Sequence, residues 1–272
     1  SRKVPFPGAP AGVRAKRASP SAAPAARGAK TASRAVSRSR MPRSFPLNPL
    51  KLSPQRVDTL RSLALPLAGG LAVLLLLLAF VLVASEVIEG ETHAIDMALL
   101  RAAKDFRDAH PLFAHVMRDL SGLGSTTVLT FFTVATAGYL LLVSARTHAL
   151  VVVMASLSGA LLVSLLKPAF GRLRPDVALA DYTAYGLSFP SGHASMSAAV
   201  FLTLGVISAS TRTRLAERLY ILVMAAAAAV LVGLSRVALG VHWASDVLGG
   251  WALGTAWALG WSIVAFWLLR RR

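Results

Sequence analysis

The sequence predicts an all-α fold: an integral membrane bundle of six helices, preceded by a disordered basic N-terminal arm. Hydrophobic residues make up 55% of the 272 positions and charged residues only 15%, whereas soluble domains are usually about 45–50% apolar. Six apolar stretches approach or reach the length that crosses a bilayer. The basic residues lie mainly on one side of these stretches. These observations exclude most classes of soluble enzyme, and the lack of cysteine also excludes disulfides and thiolate metal sites.

The first 61 residues carry most of the net charge of +17. They contain fourteen Lys and Arg residues and a single acid, Asp58. Ala, Ser, Pro and Gly fill the rest without periodicity, so the segment has too little apolar surface to offset the entropy of ordering. We expect a disordered arm over residues 1–61 that lies against anionic lipid headgroups. An organelle transit peptide is one alternative. An arm that binds nucleic acid is another alternative. Nucleic acid is not the expected partner, however, because no folded nucleic-acid-binding motif accompanies the arm.

The membrane domain is predicted over residues 62–272. Its first span, residues 63–85, contains no charged residue and is long enough to cross a bilayer despite Pro66 near its start. The five further predicted spans are residues 126–143, 148–166, 194–210, 219–234 and 247–269. In the last span, Gly250 and Gly254 are four residues apart, a spacing that permits close approach of a neighbouring helix.

The segment between the first two spans, residues 86–125, is long and contains an amphipathic run at 95–107. The apolar residues Ile95, Leu99 and Leu100 fall at helical spacing in this run, which predicts a helix along the membrane surface. We interpret this segment as a structural lid, with a direct part in the chemistry as the alternative.

Six spans place both termini on the same side of the membrane. The terminal side has 21 basic and two acidic residues, a net +19, whereas the other side has eight basic and ten acidic residues, a net −2. Cytoplasmic segments are enriched in Lys and Arg. The charge distribution therefore predicts that both termini are cytoplasmic.

Three short motifs lie at the outer ends of the third to sixth spans. Their fixed positions are Lys167, Arg174 and Pro175 in the first motif, Pro190, Ser191, Gly192 and His193 in the second, and Ser235, Arg236, His242 and Asp246 in the third. Because the spans end at the same membrane face, we expect the motifs to share one pocket there.

The cations in this set suit a phosphoryl group. Lys167, Arg174 and Arg236 provide positive charge and forked donors, and phosphoryl transfer depends mainly on positioning and charge stabilisation. Ser191 and Gly192 stand where the fourth span begins, so the helix N-terminus can offer free N–H groups to an anion.

The two histidines of the motifs suit nucleophilic and acid–base chemistry. His242 and Asp246 are four residues apart and lie on one helical face if the helix reaches back that far. A carboxylate that holds one imidazole nitrogen leaves the other free to attack phosphorus. His193 is then available to protonate the leaving oxygen and later to activate water. The alternative for either histidine is a structural hydrogen-bonding role.

Other polar residues on this face are given lesser roles. Arg172 lies within the first motif at a position that is not fixed, where it can assist the phosphate or face headgroups. Arg107 lies outside the motifs, and we expect its replacement by alanine to leave activity unchanged. The histidines outside the motifs are too dispersed to converge on a metal; these are His93, His110, His115 and His148.

The ordered set of motifs resembles the signature of the type-2 phosphatidate phosphatase superfamily, which includes membrane lipid phosphatases, glucose-6-phosphatase and vanadium haloperoxidases. The resemblance covers about residues 94–269 and fills every fixed position. It implies an all-α fold, a phosphohistidine mechanism and no requirement for a metal or other cofactor. The implied substrate is a lipid phosphate or pyrophosphate, with isoprenyl pyrophosphates such as undecaprenyl pyrophosphate and phosphatidate-like lipids as the leading candidates.

With the charge distribution, this resemblance predicts a phosphatase of the cytoplasmic (inner) membrane whose pocket opens on the extracytoplasmic face; an organelle membrane is the less favoured location. The alternative function is an anion or lipid transporter or channel without hydrolytic activity. Such a protein needs polar residues deep within its spans, whereas the charges here stop at the helix ends.

Overall fold

The computed structural model describes residues 54–270, and this part of the chain is helical with no strand. The helices are α1 Pro54–Glu89, α2 His93–Ala109, α3 Pro111–Gly122, α4 Thr126–Leu142, α5 Arg146–Phe170, α6 Gly192–Ser210, α7 Leu215–Ala238 and α8 Ala244–Arg270. A short 3₁₀ turn, Val177–Leu179, lies in the connection between α5 and α6. The predicted all-α fold is confirmed.

The predicted spans correspond to α1 and to α4 through α8. Apart from the start of α1, every predicted boundary lies within four residues of the helix end. Among the described residues, five helices are long and apolar enough to cross a membrane, and α3 with α4 provides a sixth span if this pair, bent by 41°, is one broken segment. Residues 1–53 of the predicted arm lie outside the residues that the structure describes. The last part of the arm differs from the prediction, because α1 begins at Pro54, and proline is well tolerated in a first helical turn.

The outer segment forms the two helices α2 and α3. Ile95 and Leu99 are exposed on α2, as expected of a helix at a membrane surface, while Leu100 is fully buried. The same buried face also carries Asp96 and Arg107. An ionic residue is rarely buried without a partner, so this face of α2 has polar contacts inside the protein.

Close packing of small residues brings α6 against α8. A Cβ on Gly254 would overlap the carbonyl oxygen of Ser195, and one on Gly250 would come within 3.0 Å of the carbonyl oxygen of Ser191. The predicted role of this glycine pair in close helix approach is thus confirmed. Since α6 also packs against α5 and α7, it forms the centre of the bundle and aligns the outer ends of its neighbours.

The connection between α5 and α6, residues 171–191, is held from several sides. The ring of Phe189 stacks on Phe80 of α1 with centroids 5.7 Å apart, and it meets Phe170 edge-on at 4.8 Å. Arg118 of α3 forms a bidentate ion pair with Asp181, with nitrogen–oxygen distances of 2.5 and 2.8 Å. This ion pair lowers the pKa of the Asp181 carboxyl group. The connection, which carries parts of two of the predicted motifs, is therefore anchored to α1 and α3.

Candidate active site

The three predicted motifs meet at the end of the bundle where α5 and α7 end and α6 and α8 begin. Arg174 of the first motif contacts His242 of the third. The N–H of Ser191 in the second motif donates to the carbonyl oxygen of Asp246 over 3.0 Å. The structure thus places residues of all three motifs in one cluster.

His242 lies buried at the base of this cluster, held by Asp246. Its Nδ1 is 3.2 Å from Oδ2 of Asp246, which also accepts the backbone N–H of Trp243 at 3.0 Å. Its Nε2 is 3.0 Å from a terminal nitrogen of Arg174. Because the guanidinium can only donate, this arrangement assigns the proton to Nδ1 and the lone pair to Nε2.

The surroundings of His242 favour the neutral imidazole. Burial lowers the pKa of His242 well below the ordinary value of 6.5, and the nearby cations Arg174, Arg236 and Lys167 lower it further. At neutral pH the ring therefore keeps an unprotonated nitrogen, which is the form that a nucleophile requires.

Three cations lie near the histidine, and apart from the contact of Arg174 with Nε2 of His242 their hydrogen-bond acceptors are neutral oxygens. Lys167 donates to the carbonyl oxygen of Leu187 at 2.8 Å. Arg174 donates through Nε to the carbonyl oxygens of Tyr185 and Gly186, at 3.1 Å each, and through Nη1 to that of Val241 at 2.8 Å.

The third cation, Arg236, is buried at the end of α7. It donates to the hydroxyl oxygens of Ser121 at 2.6 Å and Tyr182 at 2.5 Å, and its Nε has no hydrogen-bond partner among the described residues. Between residues 54 and 270, no carboxylate forms an ion pair with Lys167, Arg174 or Arg236. No direct ion pair within this part of the chain therefore neutralises their positive charge.

The second motif forms the start of α6. Ser191 caps the helix, with its side chain accepting from the N–H of Ala194, and the first N–H groups of the helix are left for another acceptor. Gly192 leaves room there, since an added Cβ would lie 3.9 Å from Cε of Lys167. His193 packs over Gly124, where an added Cβ would lie 3.4 Å from Cδ2 of the ring.

The structure corrects the expectation for Arg172, which neither points toward the cation cluster nor faces headgroups. Its guanidinium donates to Asp246 Oδ1 at 2.7 Å and to Asp96 Oδ2 at 2.8 Å. It also lies 5.3 Å from the ring centroid of Trp243. Two buried carboxylates need a cation nearby, because an unpaired buried charge is strongly destabilising.

Residues of α2 and α3 that contact the cluster were missed in the sequence. Asp96 binds Arg172, Ser121 binds Arg236, and Arg107 donates to the carbonyl oxygens of Ala238 at 2.5 Å and Leu179 at 2.8 Å. Arg107 is buried and binds the carbonyl oxygen at the end of α7, so it has a structural role that the sequence did not indicate. That its replacement by alanine leaves activity unchanged stays a prediction. Asp96 and Arg107 share a helical face with Leu100, but periodicity alone does not distinguish a polar face toward protein from one toward water.

Within the residues that the structure covers, no three potential ligands of the His, Cys, Asp and Glu types converge on a metal position. The outer histidines have separate neighbours: the ring of His93 lies 5.5 Å from Trp243, and that of His110 stacks on Phe106 at 4.3 Å. The positive charge in the cluster is that of its Lys and Arg side chains.

Comparisons with known proteins agree with this arrangement. Residues 147–270 match the PAP2 superfamily. Phosphatidylglycerophosphatase B of Bacillus subtilis is 31% identical over 180 residues, which are 66% of this chain and 87% of the relative. Lipid A 1-phosphatase of Rhizobium johnstonii is 32% identical over 167 residues, covering 53% of this chain and 64% of the relative.

A solved structure shares the fold. The crystal structure of a transmembrane PAP2-type phosphatidylglycerolphosphate phosphatase from Bacillus subtilis superposes with a TM-score of 0.66 at 29% identity, over 74% of this chain and 98% of that chain. The transmembrane helices, the motifs and these likenesses lead to one conclusion: the chain is a multi-pass membrane protein that belongs to the PAP2 superfamily.

Proposed function

We propose that this protein is a membrane phosphatase that hydrolyses a lipid phosphate or pyrophosphate through a phosphohistidine on His242, without a metal or other cofactor. The observation that carries the proposal is the group of three cations around the buried His242 and Asp246, none of which forms an ion pair with a carboxylate among residues 54–270. Such a group attracts an anion with several charges, and the lone pair of His242 Nε2 lies within it.

The first step transfers the phosphoryl group to the protein. Nε2 of His242 attacks phosphorus, the bond from phosphorus to the lipid oxygen breaks, and His193 gives its proton to that oxygen. Because Arg174 is 3.0 Å from Nε2, its guanidinium can bind the phosphoryl oxygens as the new bond forms. Asp246, bound to Nδ1, stabilises the positive charge that the ring acquires.

The second step releases phosphate. His193, now neutral, takes a proton from a water molecule, whose oxygen attacks phosphorus while the bond to Nε2 breaks. Lys167, Arg236 and the N–H groups at the start of α6 hold the phosphoryl oxygens in both steps. His242 then returns to its neutral form with the proton on Nδ1.

The proposed substrate class is a lipid phosphate because the named relatives act on such lipids, one on a phosphatidylglycerophosphate and the other at the 1-phosphate of lipid A. We include a phosphatidylglycerophosphate-like lipid beside the isoprenyl pyrophosphates and phosphatidate-like lipids predicted from the sequence. An amphiphilic substrate can leave its tails in the bilayer while its headgroup meets the cations.

The proposed location is the cytoplasmic membrane, with cytoplasmic termini and the site on the extracytoplasmic face. The charge distribution of +19 against −2 supports this orientation. The proposed role of residues 1–61 is to bind anionic lipids, and it concerns residues almost entirely outside the described range.

The chemistry is tested with purified protein, a panel of these lipids and a chelator. We expect phosphate release in the presence of EDTA, and an acid-labile phosphoenzyme after a brief incubation with labelled substrate and an alkaline quench. His242→Gln should lose both signals, whereas His115→Gln, an exposed histidine of α3, should keep them. Full turnover by His242→Gln would refute the mechanism. Binding without hydrolysis of any lipid would favour the alternative of a transporter.

The orientation is tested with single cysteines, since the chain has none of its own. Tyr185→Cys lies on an exposed part of the 171–191 connection and Thr213→Cys lies between α6 and α7. In intact cells a membrane-impermeant thiol reagent should label the first and not the second. The opposite labelling would place the site in the cytoplasm.

A further inference from the structure

We propose that Asp96 and Arg172 are positioning residues for the proposed nucleophile, so that the outer helix α2 contributes to turnover from outside the three motifs. This inference rests on the proposed phosphohistidine function. Asp96 lies in a segment that we interpreted from the sequence as a structural lid, with a direct part in the chemistry as the alternative, and Arg172 occupies a position of the first motif that is not fixed.

The contacts of Asp246 show how Arg172 acts. Oδ2 of Asp246 faces His242 at 3.2 Å, and Oδ1 accepts from Nη1 of Arg172 at 2.7 Å. The guanidinium therefore fixes the rotation of the carboxylate from the side opposite the imidazole. If Arg172 were absent, the carboxylate could turn about its χ2 bond, and the orientation of the imidazole would be held less firmly.

The contacts of Asp96 complete a buried network. Its Oδ2 accepts from Nη2 of Arg172 at 2.8 Å and from the hydroxyl of Ser245 at 2.5 Å. Its Oδ1 accepts the backbone N–H of Ser245 at 3.0 Å, in the first turn of α8. Asp96 and Asp246 are 1% and 0% exposed, so water contributes little to their solvation and their contacts determine their energetics.

The charges of the network explain why two carboxylates share one guanidinium. Arg172 with Asp246 alone is a neutral pair, which would stabilise a positive imidazole ring weakly. Adding Asp96 leaves one net negative charge in the network, and this charge can balance the positive ring of phosphorylated His242. Asp96 is thus expected to act through Arg172 on the charged intermediate, without touching the phosphoryl group.

This role predicts a selective kinetic defect. Asp96→Asn should lower kcat about 10- to 100-fold, the range found when a carboxylate behind a functional imidazole is removed from a metal site. KM and inhibition by vanadate, a phosphoryl analogue, should change less than threefold, because Lys167, Arg174 and Arg236 are untouched. A merely structural role would loosen the whole pocket and weaken vanadate inhibition in parallel with kcat.

The matched control is Asp105→Asn, which neutralises an exposed acid of the same helix and should retain the kcat of the unmodified protein. Asp96→Glu should recover part of the lost kcat. In the double variant Asp96→Asn with Arg172→Gln, the two losses should not multiply, since one residue acts through the other. If the loss of kcat in the double variant equals the product of the two single losses, the inference that Asp96 acts through Arg172 is wrong.

If Asp96→Asn fails to fold, Arg172→Lys tests the same point, since lysine keeps the charge but lacks the fork that reaches both carboxylates. Unchanged kcat in either folded variant would overturn the inference. The proposed function is judged separately, by phosphate release from the unmodified protein and by the loss of the phosphoenzyme in His242→Gln. The inference fails alone if those two results hold and Asp96→Asn is fully active.

Discussion

Replacing Gly254 by alanine should slow turnover although this glycine lies far from the chemistry. It is eight residues beyond Asp246 in α8, about 12 Å along the helix axis. The added Cβ would overlap the carbonyl oxygen of Ser195 and would lie 2.9 Å from the Cβ of Ala198 on α6. Both obstacles are backbone or short side chain, so α6 and α8 have to move apart.

The size of the effect follows from these distances. Nonbonded carbon atoms pack at about 3.5–4.0 Å, so the two helices must separate by at least about 0.6 Å. The helix α6 carries His193, and α8 carries Asp246, which holds the proposed nucleophile His242 through Nδ1. The separation therefore changes the distance between the proposed acid and the proposed nucleophile. A misplacement of about 1 Å can lower a rate about 100-fold, and we expect a 10- to 100-fold loss of kcat. The strain should also lower the unfolding free energy by about 1–3 kcal/mol.

Phosphate release and thermal unfolding in detergent measure the two effects. Gly260→Ala is the matched control, because a Cβ at that position of the same helix meets nothing within 4 Å. Gly250→Ala, with its nearest contacts at 3.0 Å, should fall between the two. Equal activity of Gly254→Ala and Gly260→Ala would refute the argument that close packing of α6 and α8 aligns the site.

Two further predictions concern the charged residues. Burial lowers the pKa of His242 and the cation of Arg174 lowers it further, so Arg174→Gln should raise this pKa. Because the neutral ring is the reactive form, the acid limb of the kcat/KM profile of the residual activity should move to higher pH. Arg107→Leu would leave the carbonyl oxygens of Ala238 and Leu179 without their donor. It should lower the unfolding free energy by about 1–3 kcal/mol, seen as a lower thermal midpoint.

One control serves both predictions. Arg101 is an exposed cation of α2, so Arg101→Gln should change neither the acid limb nor the thermal midpoint. An acid limb that stays in place in Arg174→Gln would contradict the electrostatic role of this cation. A thermal midpoint for Arg107→Leu equal to that of Arg101→Gln would contradict the structural role of Arg107.

The spans and the motifs could be predicted from the sequence for physical reasons. A segment in lipid must satisfy its backbone hydrogen bonds internally, so a long apolar stretch such as the first span has helix as its main option. The cations Lys167, Arg174 and Arg236 stand at the ends of such stretches, and the topology alone brings those ends to one face. Periodicity and charge counts are therefore sufficient to predict that these residues share one site.

The network behind the site could not be predicted in this way. Asp96 contacts Ser245 across 149 positions of sequence, and nothing in the local pattern of α2 indicates such a partner. Arg172 is separated from Arg174 by one residue, and the sequence leaves open whether it assists the phosphate or faces headgroups. In the structure its side chain instead binds the carboxylates of Asp96 and Asp246. These two buried negative charges would be strongly destabilising without a cation beside them.

The contact between Asp96 and Ser245 also has a consequence for biosynthesis. A ribosome adds roughly 5–20 residues per second, so α8 follows α2 by about 7–30 s. During this interval Asp96 lacks the N–H and hydroxyl donors of Ser245. A chain released before α8 contains two of the three motifs but no assembled nucleophile. Synthesis of the first turn of α8 is therefore the event that joins the early and late parts of the chain into a working site.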